Sequence, residues 1–247
     1  MGMLSIVKVW LATSFDTKDL EEASYILGIK LFRDQKQRII GLSQDTYIEA
    51  VLSRFSTDNS KKGLLPFRHG LAFSRDQCPK TQEERDRTVG VPYASAVGSL
   101  MYAMLYTRLD ICFAIGIVTR YQSNPCPKHW IDIKHILKYL RRTKDYMLMY
   151  GRDELIPISY TDSNFTSDKA SRKSTSGYVF TLGGGAVSWM SIKQKCIVDS
   201  TIEVEYVTAC EASKEAAWLK KFLMELGVVP ASLSHITLYC DNCGALA

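Results

Sequence analysis

Three carboxylates in the second half of the chain stand where metal chemistry would need them. Asp162 closes an apolar segment, Leu155 to Asp162. Glu203 lies in the first turn of the longest helix-like stretch, Asp199 to Gly227. Asp241 follows Leu238-Tyr239-Cys240. Three carboxylates meeting at one point need a cation to neutralise them. Magnesium takes oxygen ligands and keeps several waters, so two ions could share such a cluster with a phosphate. Two ions about 4 Å apart activate a water and stabilise the leaving oxygen of a phosphodiester. Each residue also has an ordinary role open to it. Asp162 could be a turn residue before Ser163-Asn164. Glu203 could be only the N3 member of a capping box with Ser200, and Asp241-Asn242 could cap a further helix. The order strand, strand, strand, helix, strand favours the metal site, because ligands gather at strand C-terminal ends in α/β sheets.

The elements that must position these residues are readable from periodicity. In the long helix, Val207, Cys210, Ala217, Phe222 and Leu226 fall near helical spacing. Trp218, Leu219 and Leu223 widen that apolar face, and Lys214, Glu215, Lys220, Lys221 and Glu225 sit mostly opposite. Ser200 and Glu203 form an S-x-x-E capping box, and Gly227 suits the C′ position. At about 1.5 Å per residue the helix is roughly 36–40 Å long, enough to cross a sheet and bring Glu203 to Asp162 and Asp241. Before it, Leu155–Asp162, Ser176–Leu182 and Ala186–Ser191 predict a three-stranded antiparallel meander. Its turns are a polar loop, Ser163 to Thr175, and Gly183-Gly184-Gly185. Ile236–Cys240 is the strand after the helix. The result is a mixed α/β sheet.

The first half reads differently. Leu4 to Phe15 predicts a short amphipathic helix. Ser24–Phe32 and Arg38–Leu42 predict a hairpin around Asp34-Gln35-Lys36-Gln37, and Ser43 caps a helix from Gln44 to Phe55. Thr57 to Glu84 is a long connection. Helices follow from Pro92 through Leu105, from Leu109 to Tyr121, and from Lys128 to Arg142. The last lines one side with Trp130, Ile133, Leu137 and Leu140. Lys134, Lys138, Arg141, Arg142 and Lys144 crowd the rest, either to contact phosphates or simply as a solvated face. Composition shifts near Tyr150-Gly151, where a domain boundary is expected.

At 247 residues, with 46% hydrophobic and 23% charged residues, the composition is that of an ordinary globular protein. The longest apolar run, Ile111 to Val118, is far too short to span a membrane. The N-terminus has no basic n-region and no small-residue cleavage site, so no signal peptide is expected. Seven cysteines, an odd number, suggest reduced thiols in an intracellular protein, cytoplasmic or nuclear. Cys240 and Cys243 form a C-x-x-C, but a zinc site needs a second ligand pair, and only His235 is near. Residues 1–150 hold 22 Lys and Arg against 15 Asp and Glu, a balance of +7. Residues 151–247 hold 9 against 11, a balance of −2. A basic first part beside an acidic second part suits a clamp holding a polyanion over a metal site, and equally two ordinary solvated surfaces.

Several motifs in fixed order carry a resemblance to a known family. They are V-P-Y-A-S-A-V-G-S-L-M-Y-A-M at Val91–Met104, T-R-L-D-I at Thr107–Ile111 and H-W-I-D-I-K-H-I-L-K-Y-L at His129–Leu140. Further on come Y-T-D-S at Tyr160–Ser163, S-R-K-S-T-S-G-Y-V-F at Ser171–Phe180, S-T-I-E-V-E-Y at Ser200–Tyr206 and Y-C-D-N at Tyr239–Asn242. Over nearly its whole length the chain resembles the copia-type retrotransposon Pol polyprotein. The resemblance implies the end of a reverse transcriptase palm over residues 1–56, thumb and connection helices over 57–150, and an RNase H-like domain over 151–247. It implies an α+β organisation around a mixed sheet with a long central helix. The hairpin at Tyr25–Leu42 is similar to the region that grips the primer. The activity implied for the last part is two-magnesium cleavage of RNA in RNA–DNA hybrids, with Asp162, Glu203 and Asp241 as catalytic and metal-binding carboxylates. Lys134, Lys138, Arg141, Arg142, Arg172 and Lys173 are the expected nucleic-acid contacts, and the remainder of a Pol polyprotein is an expected partner.

The departures from that pattern matter equally. No Y-x-D-D polymerase motif occurs, so polymerisation by this chain alone is not expected. The family's RNase H continues past Y-C-D-N to a fourth acidic ligand, which this sequence lacks, so an incomplete two-ion site is expected. T-R-P-D becomes T-R-L-D, Ile202 replaces a usual Thr, and Asn164 stands at a commonly acidic position. Together these suggest a decaying copy, with a non-catalytic nucleic-acid-binding remnant or a functionless transposon-derived fragment as alternatives.

Overall fold

A computed structural model describes residues 3–18, 22–68, 77–86, 88, 90–151, 154–168, 171–230, 233–242 and 244. It contains two four-stranded sheets, each with its own helices. Helix and strand are thus mixed in an α+β arrangement. No helix among the described residues is long and apolar enough to cross a membrane.

The chain opens with helix α1 (Met3–Ser14). Its described side chains are exposed, including Ile6, Val9 and Trp10. The stretch expected as one strand from Ser24 to Phe32 is a tight hairpin instead. Strand β1 (Tyr25–Ile26) pairs antiparallel with β2 (Ile29–Asp34), with Ile26 opposite Ile29. Leu27 and Gly28 make the turn at φ of 50° and 74°. Consecutive positive φ angles belong to a type I′ turn, which Gly accepts without a steric penalty. Tyr102 secures the turn by donating its hydroxyl hydrogen bond to the Leu27 carbonyl. Strand β3 (Ile39–Ser43) follows, then helix α2 (Asp45–Arg54), whose Asp45 amide donates to the Ser43 hydroxyl at 3.2 Å.

Helices α3 (Gln82–Asp86), α4 (Tyr93–Tyr106), α5 (Cys112–Val118) and α6 (Pro127–Arg142) come next, and 3-10 turns flank α5. Helices α2, α4, α5 and α6 bury one core, with Ile48, Leu52, Leu100, Ile115, Ile133 and Leu137 all nearly inaccessible. Each such side chain contributes about 1.5–3 kcal/mol of burial free energy. Strand β4 (Met147–Tyr150) then returns to β3, pairing Met149 with Gly41. Alternation in the short M-L-M-Y run was no warning of this strand, which is made by a partner more than a hundred positions away.

The buried Arg108 ties this half together. Its guanidinium donates to both Asp110 carboxylate oxygens, at 3.0 and 2.7 Å, and to the Thr143 carbonyl at 3.1 Å. The Tyr139 hydroxyl completes Asp110 at 2.7 Å. The T-R-L-D segment therefore pins the end of α4 to the end of α6. Arg suits the task because its planar fork matches a carboxylate and stays charged.

The second sheet has the order β7-β6-β5-β8. Strands β5 (Ile158–Asp168), β6 (Lys173–Leu182) and β7 (Gly185–Lys193) form the antiparallel meander, and β8 (Thr237–Cys240) joins β5 in parallel. The segment Ser163–Thr175, expected as a polar loop, is mostly strand. Its register shifts between Asn164 and Asp168, with Thr166 at φ 50°. Polar residues persist in the strand because the shift lets Thr166 donate its amide to the Ser174 hydroxyl at 3.0 Å. Helix α7 (Thr201–Glu225) crosses this sheet.

The buried face of α7 differs from the expected one. Val204, Glu205, Thr208, Ala212, Ala216, Leu219 and Leu223 are buried. Trp218, Phe222 and Leu226 are exposed, with the Trp218 and Phe222 rings stacked at 5.1 Å. Large apolar residues suggested one face. Leu219 and Leu223 are buried as expected, but they share the buried face with Val204, Thr208, Ala212 and Ala216 rather than with Trp218 and Phe222, and Ala212 packs in one cluster with Phe180.

The two halves are in contact. The Trp189 indole donates to the Met104 carbonyl at 3.1 Å, and the Tyr150 hydroxyl to the Ala186 carbonyl at 2.7 Å. Gly185 permits the approach, since a Cβ there would lie 2.5 Å from the Tyr150 ring. Asp168 takes ion pairs from Lys193 and, at 3.7 Å, from Arg120 of the first half.

Candidate metal-binding site

Helix α7 starts where the capping signal placed it. The Ser200 hydroxyl accepts from the Glu203 amide at 3.2 Å, and the Glu203 carboxylate accepts from the Asp199 amide at 3.0 Å. Glu203 is thereby committed to the cap and faces solvent. The structure does not bring it to Asp241. Glu205 goes there instead, one side of the helix away. It is 6% exposed. A carboxylate oxygen of Glu205, the Cys240 thiol and a carboxylate oxygen of Asp241 lie within 4.8 Å of one another. No other such group of three His, Cys, Asp or Glu side chains occurs among the described residues.

Asp162 is close in the sheet but faces away. The parallel pairing of β5 and β8 ends at Thr161 and Cys240, so Asp162 and Asp241 are the next residues on adjacent strands. Successive side chains alternate across a sheet. Thr161 and Ser163 therefore turn toward α7. Asp162 turns to the other face, at the rim of a groove of about 270 Å³ with Tyr160, Phe113 and Trp189. Its carboxylate accepts from the Ser163 amide at 2.8 Å. On that same face Tyr160 and Tyr239 stack at 5.4 Å.

The chemistry of the donor set fits a hard divalent cation. Among the described residues neither Glu205 nor Asp241 has a Lys or Arg partner. Two acids this close, one of them buried, repel each other, and a cation between them would offset that repulsion. Oxygen ligands suit magnesium, whereas a thiol does not. Cys240 sits 3.9 Å from Glu205 Oε2 as a weak donor to the carboxylate rather than as a matched ligand. Cys243, the other half of the C-x-x-C, lies outside the described residues, and the six described cysteines are free thiols.

The expected phosphate contacts sit on separate elements. On α6, Lys134 and Arg142 are exposed, and Lys138 and Arg141 are half-buried. Lys134 lies 5.8 Å from the Trp130 ring centre. Arg141 lines a cleft that also holds Lys62, Glu49, Asp58 and Asp145, and Lys144 there is paired with Glu49. Arg172 is exposed in the β5–β6 connection, and Lys173 donates to the Lys195 carbonyl.

Sequence reasoning did not single out Glu205 or Ser163, and it weighed Cys240 only as half of a C-x-x-C. One signal was available for Glu205: Thr208, Ala212 and Ala216 continue from it at near-helical spacing as a stripe of small residues.

Comparison with known proteins bears on the whole chain. The retrovirus-related Pol polyprotein of transposon TNT 1-94 in Nicotiana tabacum is 46% identical over 245 residues, which is 99% of this chain and 18% of that one. This chain belongs to the retrovirus-related Pol polyproteins of transposons. The corresponding polyprotein of transposon RE2 in Arabidopsis thaliana is 31% identical over 95% of this chain and 16% of its own length. The chain thus spans less than a fifth of these Pol relatives. A protein of Plasmopara viticola named secreted RxLR effector protein 161 is 45% identical over 130 residues, 52% of this chain and 92% of that one. No family model and no solved structure matches this Pol-related chain.

Proposed function

We propose that this Pol-related chain carries the end of a reverse transcriptase palm (1–56), thumb and connection helices (57–150) and an RNase H-like domain (151–247), whose chemistry is metal-dependent cleavage of RNA in RNA–DNA hybrids. The observation that carries the reading is Glu205, which reaches Asp241 at the C-terminal end of β8, with no basic partner for either acid among the described residues. Three antiparallel strands, a long helix and a parallel strand give the order that such a site requires. Glu205 and Asp241 would hold magnesium; Asp162, the third expected acid, lies on the neighbouring strand with its side chain on the opposite face. When bound, two such ions lower the pKa of water and neutralise charge building on a phosphodiester. The chain's own residues bind the ions, hold the Glu205 oxygens in place and, through α7 and the sheet, keep one side of the site dry. Polymerisation is not assigned, since no Y-x-D-D occurs.

A second reading, binding of hybrid without cleavage, is favoured by one observation: Asp162 faces the opposite side of the sheet from Glu205. One assay separates them. Magnesium-dependent cleavage of an end-labelled hybrid is measured for the wild type, Glu205→Gln and Asp162→Asn. Loss of cleavage in both variants supports catalysis by this site. Equal residual cleavage in all three overturns it. Binding without cleavage that falls steeply with salt supports the second reading.

A further inference from the structure

Within that metal-dependent reading, we infer that Ser163 is a positioning residue that sets how Glu205 presents its carboxylate to a divalent cation.

The hydroxyl of Ser163, on β5, donates to Glu205 Oε1 at 2.6 Å. The distance is that of a charge-assisted O–H···O⁻ bond. Among the described residues, the other oxygen, Oε2, has only the Cys240 thiol, at 3.9 Å. A hydroxyl has one proton to give. Ser163 therefore fixes one oxygen and leaves the remaining lone pairs of Glu205 to the side where Asp241 lies.

Such a pin matters because the terminal torsion of a glutamate side chain is broad. Asp241 also repels the Glu205 charge whenever no cation is between them. Either effect would turn the carboxylate out of the geometry a cation needs. The backbone beneath Glu205 is held separately. The Val204 carbonyl accepts from Gln194 Nε2 at 3.2 Å and lies 2.9 Å from the Thr208 hydroxyl. The Ser176 hydroxyl takes Gln194 Nε2 at 2.8 Å and lies 2.8 Å from the Thr208 hydroxyl. Ser176, Gln194 and Thr208 are all buried. The first turns of α7 are thus fixed against β6 and the β7–α7 connection. What freedom remains to Glu205 is in its side chain, and Ser163 restricts that. Groups that orient metal ligands in this way typically contribute 10–100-fold to metal affinity.

The test is a titration of the full chain with Mn2+ alone, read by loss of the free-ion electron paramagnetic resonance signal and accompanied by thermal melts. Ser163→Ala is expected to weaken Mn2+ binding about tenfold. Ser163→Thr, which keeps the hydroxyl, is expected to stay within about threefold of the wild type, and Ser167→Ala, further along the same strand, to change nothing. Glu205→Gln serves as the reference for loss of a ligand. Ser163→Ala binding within twofold of the wild type, while Glu205→Gln loses binding, overturns the positioning role and leaves the metal reading standing. Wild type and Glu205→Gln behaving alike removes the metal reading, and the role of Ser163 with it. If Ser163→Ala does not melt cooperatively, Ser163→Cys replaces it, with a similar shape and a weaker donor. Unchanged affinity there overturns the inference, and a several-fold loss supports it.

Discussion

Glu203 and Glu205 are two positions apart on α7 and face different surroundings: Glu203 accepts the Asp199 amide in solvent, and Glu205 is buried against Ser163 and Cys240. Two positions on a helix is a rotation of about 200°. The helix therefore assigns capping to one glutamate and the acidic cluster to the other. Glu203→Gln should cost about 1 kcal/mol or less in urea unfolding and leave hybrid cleavage within about threefold. On the proposed function, Glu205→Gln should leave the fold cooperative and reduce cleavage at least a hundredfold. The reverse pattern would return the site to Glu203.

The Arg108 contacts predict a large stability effect in the first half. Arg108→Ala removes a buried guanidinium, leaves the Thr143 carbonyl without that donor and should destabilise the chain by about 1–3 kcal/mol in denaturant unfolding. Arg108→Lys should recover only part of this, because an ammonium cannot span both Asp110 oxygens. A loss below about 1 kcal/mol for the alanine variant would show that the pair is structurally idle.

Two residues on α6 oppose each other in pH dependence. Burial lowers His129 to about 4 and raises Asp132 to about 6, the latter partly countered by Arg68. With its folded pKa below the unfolded value, His129 makes stability rise from pH 4 to 6.5. With its folded pKa above the unfolded value, Asp132 makes stability fall between about pH 4 and 6. The two nearly cancel in that window. Asp132→Asn should expose the His129 slope, giving a gain on the order of 2 kcal/mol between pH 4 and 6.5. Chemical denaturation at three pH values measures it, and a flat profile in the variant would refute the opposition.

The corrected face of α7 is testable by paired truncations. Leu219→Ala should cost about 2–5 kcal/mol, since Leu219 is in the second core. Trp218→Ala, one residue away and exposed, should cost less than about 1 kcal/mol. Equal losses would mean that the Trp218–Phe222 stack is also packed.

If the basic face of α6 contacts phosphates, neutralising Lys134, Lys138 and Arg141 together should reduce the salt slope of hybrid binding by about two to three. An unchanged slope in filter-binding or anisotropy measurements would leave those residues as a solvated face.

Local chemistry in the sequence was enough for much of this protein. The Ser200–Glu203 signal located the start of α7, Pro92 the start of α4, and the glycine run the β6–β7 turn, where Gly183 and Gly184 have φ of 56° and 78°. These features depend on residues within a few positions of one another. The strand expected just before Asp241 is β8, which ends at Cys240. The tertiary structure alone decided the rest. Periodicity gives a helix's faces but not which one is buried, and α7 buries the face that joins Ala212 and Ala216 to Leu219 and Leu223 because that face meets the sheet. The same choice of face turns Glu205 inward and Glu203 outward. Strand β4 exists only through its pairing with β3, and β5 extends to Asp168 only because β6 runs beside it. Alternation along β5 then puts Ser163 on the Glu205 side and Asp162 on the other. The residue types of the site were in the sequence. Their assembly was decided by which faces of a helix and a strand meet, a long-range packing choice that nearest-neighbour chemistry does not contain.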